Sequence, residues 1–236
     1  LHGTSFAPIG VVRVLSAPLP APVVWALVIA TVILAWTFAL GFRHKILAPL
    51  FAVLLLWVTT YRNSFGMIFH TENLWVLHAM VLGFVPSADA YSLDARGKET
   101  PAALPRYGWP VFALGLATSI TYFLAFVAKM RTAGLDWVTS DALRNYVAYD
   151  NLRKIVLGDT HGPLGAALVR HPALFKPLAA MTLALELGAP LALLGRRPAT
   201  VVALGIWSFH LGVLATMAIF FPYPLLGIAF APWFPV

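Results

Sequence analysis

Six ionisable side chains lie within or beside long apolar runs of this sequence, and they are its first candidates for chemistry. They are His70, Glu72, His78, Lys129, Glu186 and His210. Charge is costly inside a bilayer, so an ionisable residue there is a candidate functional residue. A lysine deprived of water is a potential base, because burial favours its neutral amine. A buried Glu186 needs a polar partner, for which the sequence suggests His210.

Each of these residues also has a structural interpretation. Lys129 lies near the end of an apolar run, a position typical of lysines that extend along the helix to place their ammonium in water. His210 alone is typical of a hydrogen-bonded packing histidine, and pairing of Glu186 is as readily structural as functional. His70 and Glu72, two residues apart, point away from each other on a helix, so we expect no metal site.

The composition defines the class of protein that must hold these residues. Of the 236 residues, 60% are hydrophobic and 11% are charged, whereas soluble domains carry about 25% charged residues. A soluble enzyme, a nucleic-acid-binding module and a disordered linker are therefore excluded. The sequence contains no cysteine, which excludes disulfides and thiolate chemistry. The bilayer is the expected partner.

The apolar runs predict an all-α, multi-pass transmembrane bundle, because a bilayer core takes about 20 residues as a helix. The expected spans are residues 22–42, 46–60, 74–85, 109–130, 173–194 and 199–221. The third span is short unless it extends back through residues 67–69. Residues 225–233 predict a short re-entrant or interfacial segment. We treat residues 1–236 as a single domain, with a further helix expected upstream.

The short basic clusters predict the orientation of the chain, because loops rich in Lys and Arg stay in the cytoplasm. These clusters are Arg43 and Lys45; Arg96, Lys98 and Arg106; and Arg196 and Arg197. The long segment 131–172 then faces the exoplasmic side of a bacterial inner membrane or its equivalent. In this orientation, Asp94 and Arg96 shape a cytoplasmic loop and do no chemistry.

The long exoplasmic segment itself contains a predicted helix. Residues 135–156 alternate apolar and aromatic side chains with charged ones, a pattern typical of an amphipathic helix. Ser140 or Asp141 is the expected N-cap. Such a helix lies on the membrane surface or caps the bundle.

Short motifs occur in a characteristic order from Tyr61 onward. They are YRNS (61–64), HTEN (70–73), DAYSLDAR (89–96), YFLAFVAK (122–129), DWV (136–138) and FH (209–210). Together they resemble the HTTM domain, the membrane domain shared with vitamin K-dependent gamma-carboxylase. The resemblance covers most of the chain from Tyr61. Ala128 stands where the carboxylase has the first lysine of a pair.

The resemblance implies a quinone-linked or carboxylase-like enzyme. It places Lys129 as the base that deprotonates a reduced, vitamin K-like quinone. His70, Asn73 and His78, spaced to return to roughly one helical face, are the other expected catalytic residues. The residues expected to contact the reduced quinone are Trp75, Tyr122, Phe126 and His210. The absence of a large lumenal portion favours a bacterial-type relative acting on a quinone or another lipid-soluble substrate.

Two alternatives remain open from the sequence. The chain is a non-catalytic subunit that binds other membrane subunits, or it is a small transporter in which Glu186 and His210 couple protons. Transporters usually contain inverted repeats. We find no repeat in the sequence, so the transporter ranks last.

Overall fold

The computed structural model describes residues 6–66, 68–99, 101–102 and 105–234, and all regular structure in these ranges is helical. The helices are α1 (Ala21–Leu40), α2 (His44–Arg62), α3 (Asn73–Gly83), α4 (Gly108–Thr132), α5 (Asp136–Thr139), α6 (Ala142–Val156), α7 (Pro163–Leu168), α8 (Phe175–Gly188), α9 (Arg196–Met217) and α10 (Pro222–Leu225). In the described ranges, five segments are long and apolar enough to cross a membrane: α1, α2, α4, α9 and Pro172–Leu194, which contains α8. The all-α multi-pass expectation is confirmed.

The chain divides into two compact units, Leu1–Leu114 and Gly115–Val236. In the first unit, α2 and α3 bury a core of Phe51, Leu55, Val76 and Ala79, against which α1 packs. In the second unit, α6, α8 and α9 meet around Val147, Phe175 and Met217.

The turn between α1 and α2 is fixed by a carboxylate from the following loop. Gly41 ends α1 in the left-handed conformation (φ 60°). Asp94 then accepts hydrogen bonds from the backbone N–H groups of Arg43 (2.9 Å) and His44 (2.7 Å), satisfying donors that a helix start leaves free. Two of the basic loops therefore meet at one end of the first unit, as predicted. The side taken by Arg196–Arg197 stays a prediction.

We predict that Asp94 makes the first unit more stable at neutral than at acid pH. Hydrogen bonds from the His44 and Arg43 backbone lower the pKa of the Asp94 carboxyl. A lowered pKa adds stability that is present above the unfolded value, about pH 4, and is lost as the pH falls. The Asp94→Asn variant should therefore unfold at a lower temperature than the parent at pH 7, with the difference closing below about pH 4. A difference that is constant across that range would contradict this role.

The third span is shorter than the sequence suggested. Helix α3 covers 11 residues, or about 16 Å, and the proposed extension through residues 67–69 is wrong where it is described. Residue 67 lies outside the described residues. The side chain of Asn63 donates to Phe69 O and accepts from Phe69 N, both at 3.0 Å. These two bonds hold the chain before α3 in a non-helical conformation.

The C-terminal segment folds back, as expected. Helix α9 ends at Met217, four residues earlier than predicted, because Ala218 adopts the left-handed conformation (φ 50°). Trp207, ten residues before that end, donates its indole N–H to Leu225 O at 3.0 Å. The segment therefore returns about 15 Å along α9. Trp233 then donates to Gly115 O on α4, also at 3.0 Å.

The predicted amphipathic helix is broken in two, and its second half packs on the protein through a mainly polar face. Ser140 is extended (ψ −172°) and separates α5 from α6, whose N-cap position is Asp141 as expected. The Ser140 hydroxyl bonds Asp136 O and Ala142 N, which competes with continued helix. The face of α6 buried in the protein is mainly polar: Val147, Asp150, Asn151 and Lys154.

The polar face of α6 binds the end of α9. Asn151 donates to Thr216 O at 2.9 Å, and Lys154 donates to Met217 O. Lys154 also forms an ion pair with Asp150, with 3.0 Å between Nζ and Oδ2. The geometry of this contact is not that of a hydrogen bond. Asn151 and Lys154 thus satisfy terminal carbonyls of α9, where the helix dipole also favours a cation.

Candidate functional site

Lys129 forms a short ion pair with Glu186 within the second unit. Its Nζ lies 2.5 Å from Glu186 Oε1, and the two side chains are 22% and 6% exposed. Lys129 is in the last turn of α4, and Glu186 is near the end of α8. The amine therefore turns inward to a carboxylate and does not extend to water, as a surface anchor would.

Trp137 and the second oxygen of Glu186 complete the surroundings of this amine. The indole ring of Trp137, on α5, lies 5.3 Å from Lys129 Nζ, close enough for a cation–π contact. Among the described residues, neither Trp137 Nε1 nor Glu186 Oε2 has a hydrogen-bond partner, although both atoms are buried. A buried polar atom without a partner costs free energy. The centre therefore has an unused donor and an unused acceptor beside a cation.

Tyr122 and His210 form a second polar pair in the same unit. The Tyr122 hydroxyl lies 2.9 Å from His210 Nε2, and both residues are buried. Tyr122 is seven residues before Lys129, so the two side chains leave α4 on nearly the same face. The ring of Phe221 lies 4.7 Å from that of His210. Where the sequence suggested that His210 pairs with Glu186, the structure pairs Glu186 with Lys129 and His210 with Tyr122.

The Tyr122→Phe variant tests how much this pair contributes to the stability of the protein. It removes one buried hydroxyl and its bond while keeping the ring, so the free energy of unfolding should fall by about 1 kcal/mol. Thermal unfolding in detergent, followed by tryptophan fluorescence, measures the change. Tyr107→Phe is a useful comparison, because Tyr107 bonds Asp89 at the surface of the first unit. An equal loss in both variants would argue against a special contribution from the buried pair.

The remaining predicted site residues lie in the first unit. His70 is exposed in the non-helical stretch before α3, Asn73 is exposed at the first residue of α3, and Trp75 is 44% exposed. His78 is buried, with Nε2 3.1 Å from Leu114 O. The expectation that His70, Asn73 and His78 share one helical face is wrong, because α3 begins only at Asn73.

Glu72, beside these residues, is held by a charged partner. Arg62 approaches its two oxygens at 3.2 and 2.6 Å. Partial burial would raise the pKa of the Glu72 carboxyl, but the bonds from Arg62 and Thr71 outweigh it and lower that pKa. Among the residues that the structure describes, no group of three His, Asp or Glu side chains is placed to hold a metal ion.

A cleft of about 920 Å³ opens elsewhere in the first unit, at the basic loops. Its wall carries charges of both signs, from Arg43, Lys45, Asp89, Asp94, Lys98 and Glu99. None of the residues predicted for the catalytic site lines this cleft.

These features define a multi-pass helical membrane protein with a buried Lys–Glu centre. The HTTM domain family matches residues 7–234, nearly the whole chain, and the chain belongs to this family. No curated protein and no solved structure matches it.

Sequence reasoning singled out Lys129, Tyr122 and His210, but it did not pair Lys129 with Glu186. A signal was present, since Glu186 is the one acidic residue in the predicted spans of the second half and Lys129 is a basic residue in a neighbouring span. Trp137 was noticed only in the DWV motif and among the aromatic residues of segment 135–156. Its contact with Lys129 depends on the break at residues 133–135, where Gly134 is left-handed (φ 54°), as is common for a glycine after a helix end.

Proposed function

We propose that this chain is a membrane enzyme that removes a proton from a lipid-soluble aromatic hydroxyl, as in a reduced quinone, with Lys129 as the base. The observation that carries the proposal is the 2.5 Å pair of Lys129 with Glu186, together with the unpartnered oxygen of Glu186. The resemblance to the carboxylase membrane domain supplies the substrate class.

The ion pair supports base chemistry because the Glu186 carboxylate can accept a proton from the Lys129 ammonium. Lys129 Nζ passes a proton to Glu186 Oε1 along the short bond, which leaves a neutral amine and a neutral carboxyl. The amine then accepts the proton of the ligand hydroxyl and becomes an ammonium again. The pair gains one proton overall, and the ammonium stabilises the negative charge left on the ligand oxygen.

The surroundings of Lys129 fit an aromatic hydroxyl ligand. Trp137 offers a ring face and an indole N–H that can donate to the ligand oxygen, and Phe126 of α4 adds an apolar ring. Glu186 Oε2 remains as an acceptor for a second hydroxyl. When bound, a reduced quinone supplies an acidic hydroxyl and two electrons for the reduction of oxygen.

Oxygen uptake in liposomes tests the proposal. The full chain is reconstituted and supplied with a reduced short-chain naphthoquinone, and oxygen consumption above that of empty liposomes is measured. The Lys129→Arg variant keeps a cation beside Glu186, but its guanidinium does not release a proton at neutral pH. We expect a fall of roughly 100-fold or more, as for the loss of a general base. Lys176→Met removes an exposed lysine of α8 and should leave the rate unchanged.

Two results would contradict the proposal. One is uptake by the parent chain no faster than that of empty liposomes. The other is full activity of a folded Lys129→Arg variant. Either result favours the alternative of a non-catalytic membrane subunit, in which the Lys129–Glu186 pair only joins α4 to α8.

A further inference from the structure

The surface that α6 leaves outside the protein is mainly apolar, although Arg144 and Arg153 are partly exposed. Six residues of this helix are exposed, and all but Asn145 are aliphatic or aromatic. The five are Tyr146, Tyr149, Leu152, Ile155 and Val156, each more than half exposed. A helix lying against water would present the opposite composition.

Helix α6 cannot bury this surface by rotating, because its polar face is already hydrogen-bonded to the rest of the second unit. Asn151 bonds Thr216 O and also accepts from Gly162 N at 2.7 Å. Lys154 bonds Met217 O. Rotation would break these bonds and remove the α6 partners of the Thr216 and Met217 carbonyls and of the Gly162 N–H group, which is costly.

The same bonds set the level of α6 relative to the bilayer. Thr216 and Met217 are the last residues of α9, a candidate span, so α6 lies where that span ends. The outward side of α9 is apolar, with Val201 70% and Leu204 61% exposed. Helix α6 therefore lies at the level at which a bilayer passes from acyl chains to headgroups. Tyrosine is enriched at that level, and Tyr146 and Tyr149 lie on the exposed side.

We propose that the outer face of α6, formed by Tyr149, Leu152 and Val156, is inserted into the interfacial layer of the bilayer and contacts lipid. Its occupant is lipid, and neither water nor a second protein surface covers it. The helix thus acts as an anchor parallel to the membrane surface. Its polar side forms hydrogen bonds with the end of α9, and its apolar side enters the membrane. This inference does not depend on the proposed enzyme activity.

Spin-label accessibility tests the proposal directly, because the sequence contains no cysteine and single labels need no prior substitutions. The full chain carries Leu152→Cys, and the labelled protein is reconstituted in phosphatidylcholine–phosphatidylglycerol vesicles. Leu204→Cys on α9 is the lipid-facing reference. Asp159→Cys, in the exposed stretch after α6, is the water-facing reference.

We expect the label at residue 152 to collide more often with oxygen than with a water-soluble nickel chelate, as at residue 204, while residue 159 shows the reverse. Frequent collision with nickel at residue 152 would place the face in water and overturn the proposal. Rare collision with both reagents would show a protein partner and would also overturn it. Val156→Cys repeats the measurement one turn away, so a poorly folded Leu152→Cys variant does not leave the question open.

Discussion

Replacing Lys129 with methionine should lower the free energy of unfolding by about 3 kcal/mol, because it leaves Glu186 as a buried carboxyl without its partner. The Glu186→Gln variant should lower the free energy of unfolding by a smaller amount. The lysine side chain is 22% exposed against 6% for the glutamate, so an unpaired ammonium can turn towards solvent or headgroups. Thermal unfolding of the two variants in detergent measures this asymmetry.

The double variant Lys129→Met/Glu186→Met provides the control for the pair. It removes both charges and fills their space with flexible apolar side chains, so it should be more stable than Lys129→Met alone. If the double variant loses the sum of the two single losses, the two residues do not interact. If both single variants unfold like the parent, the ion pair makes no contribution and the site described above is wrong.

Replacing Gly165 with alanine should destabilise the second unit by roughly 3 kcal/mol, since its backbone lies against the end of α9. A Cβ at Gly165 would fall 1.9 Å from Thr216 O and 2.8 Å from the Asn151 amide nitrogen. Helix α7 would have to move away, breaking the bond from Asn151 to Thr216. The melting temperature in detergent should fall by roughly 6–12 °C.

Gly212→Ala is the matched control for this substitution. Gly212 lies within α9, and a Cβ there meets nothing within 4 Å. Alanine is the better helix former, so this variant should melt at or above the temperature of the parent. A similar loss in both variants would mean that close approach to Thr216 does not determine the effect at Gly165.

The long helices were predictable because about 20 apolar residues in succession have few alternatives to spanning a membrane. Their ends were less predictable, because local hydrogen bonds decide them. Asn63 holds Phe69 in a non-helical stretch and shortens α3, and Ala218 ends α9 early. Neither residue type indicates such a role by itself.

The polar packing surface of α6 could not be predicted from the sequence, for a different reason. Charged residues at helical spacing usually face water, but Asp150, Asn151 and Lys154 face the protein. Their partners include main-chain carbonyls at the end of α9. Every residue has such a carbonyl, so the sequence does not indicate which ones will bind these side chains. The same limit applied to Lys129, whose role as a candidate base followed from resemblance, whereas its pairing with Glu186 required coordinates.

The C-terminal segment has a consequence for how the protein is made. Trp233 donates to Gly115 O and Ser119 Oγ on α4, and Thr118 donates to Ala229 O. The partners in these three bonds are separated by 111 to 118 residues. At ribosomal speeds of about 5–20 residues per second, α4 exists for about 6–24 seconds before these partners are synthesised. Helix α4 therefore lacks these three contacts while the intervening chain is made, and the second unit closes only after residue 233 has been synthesised.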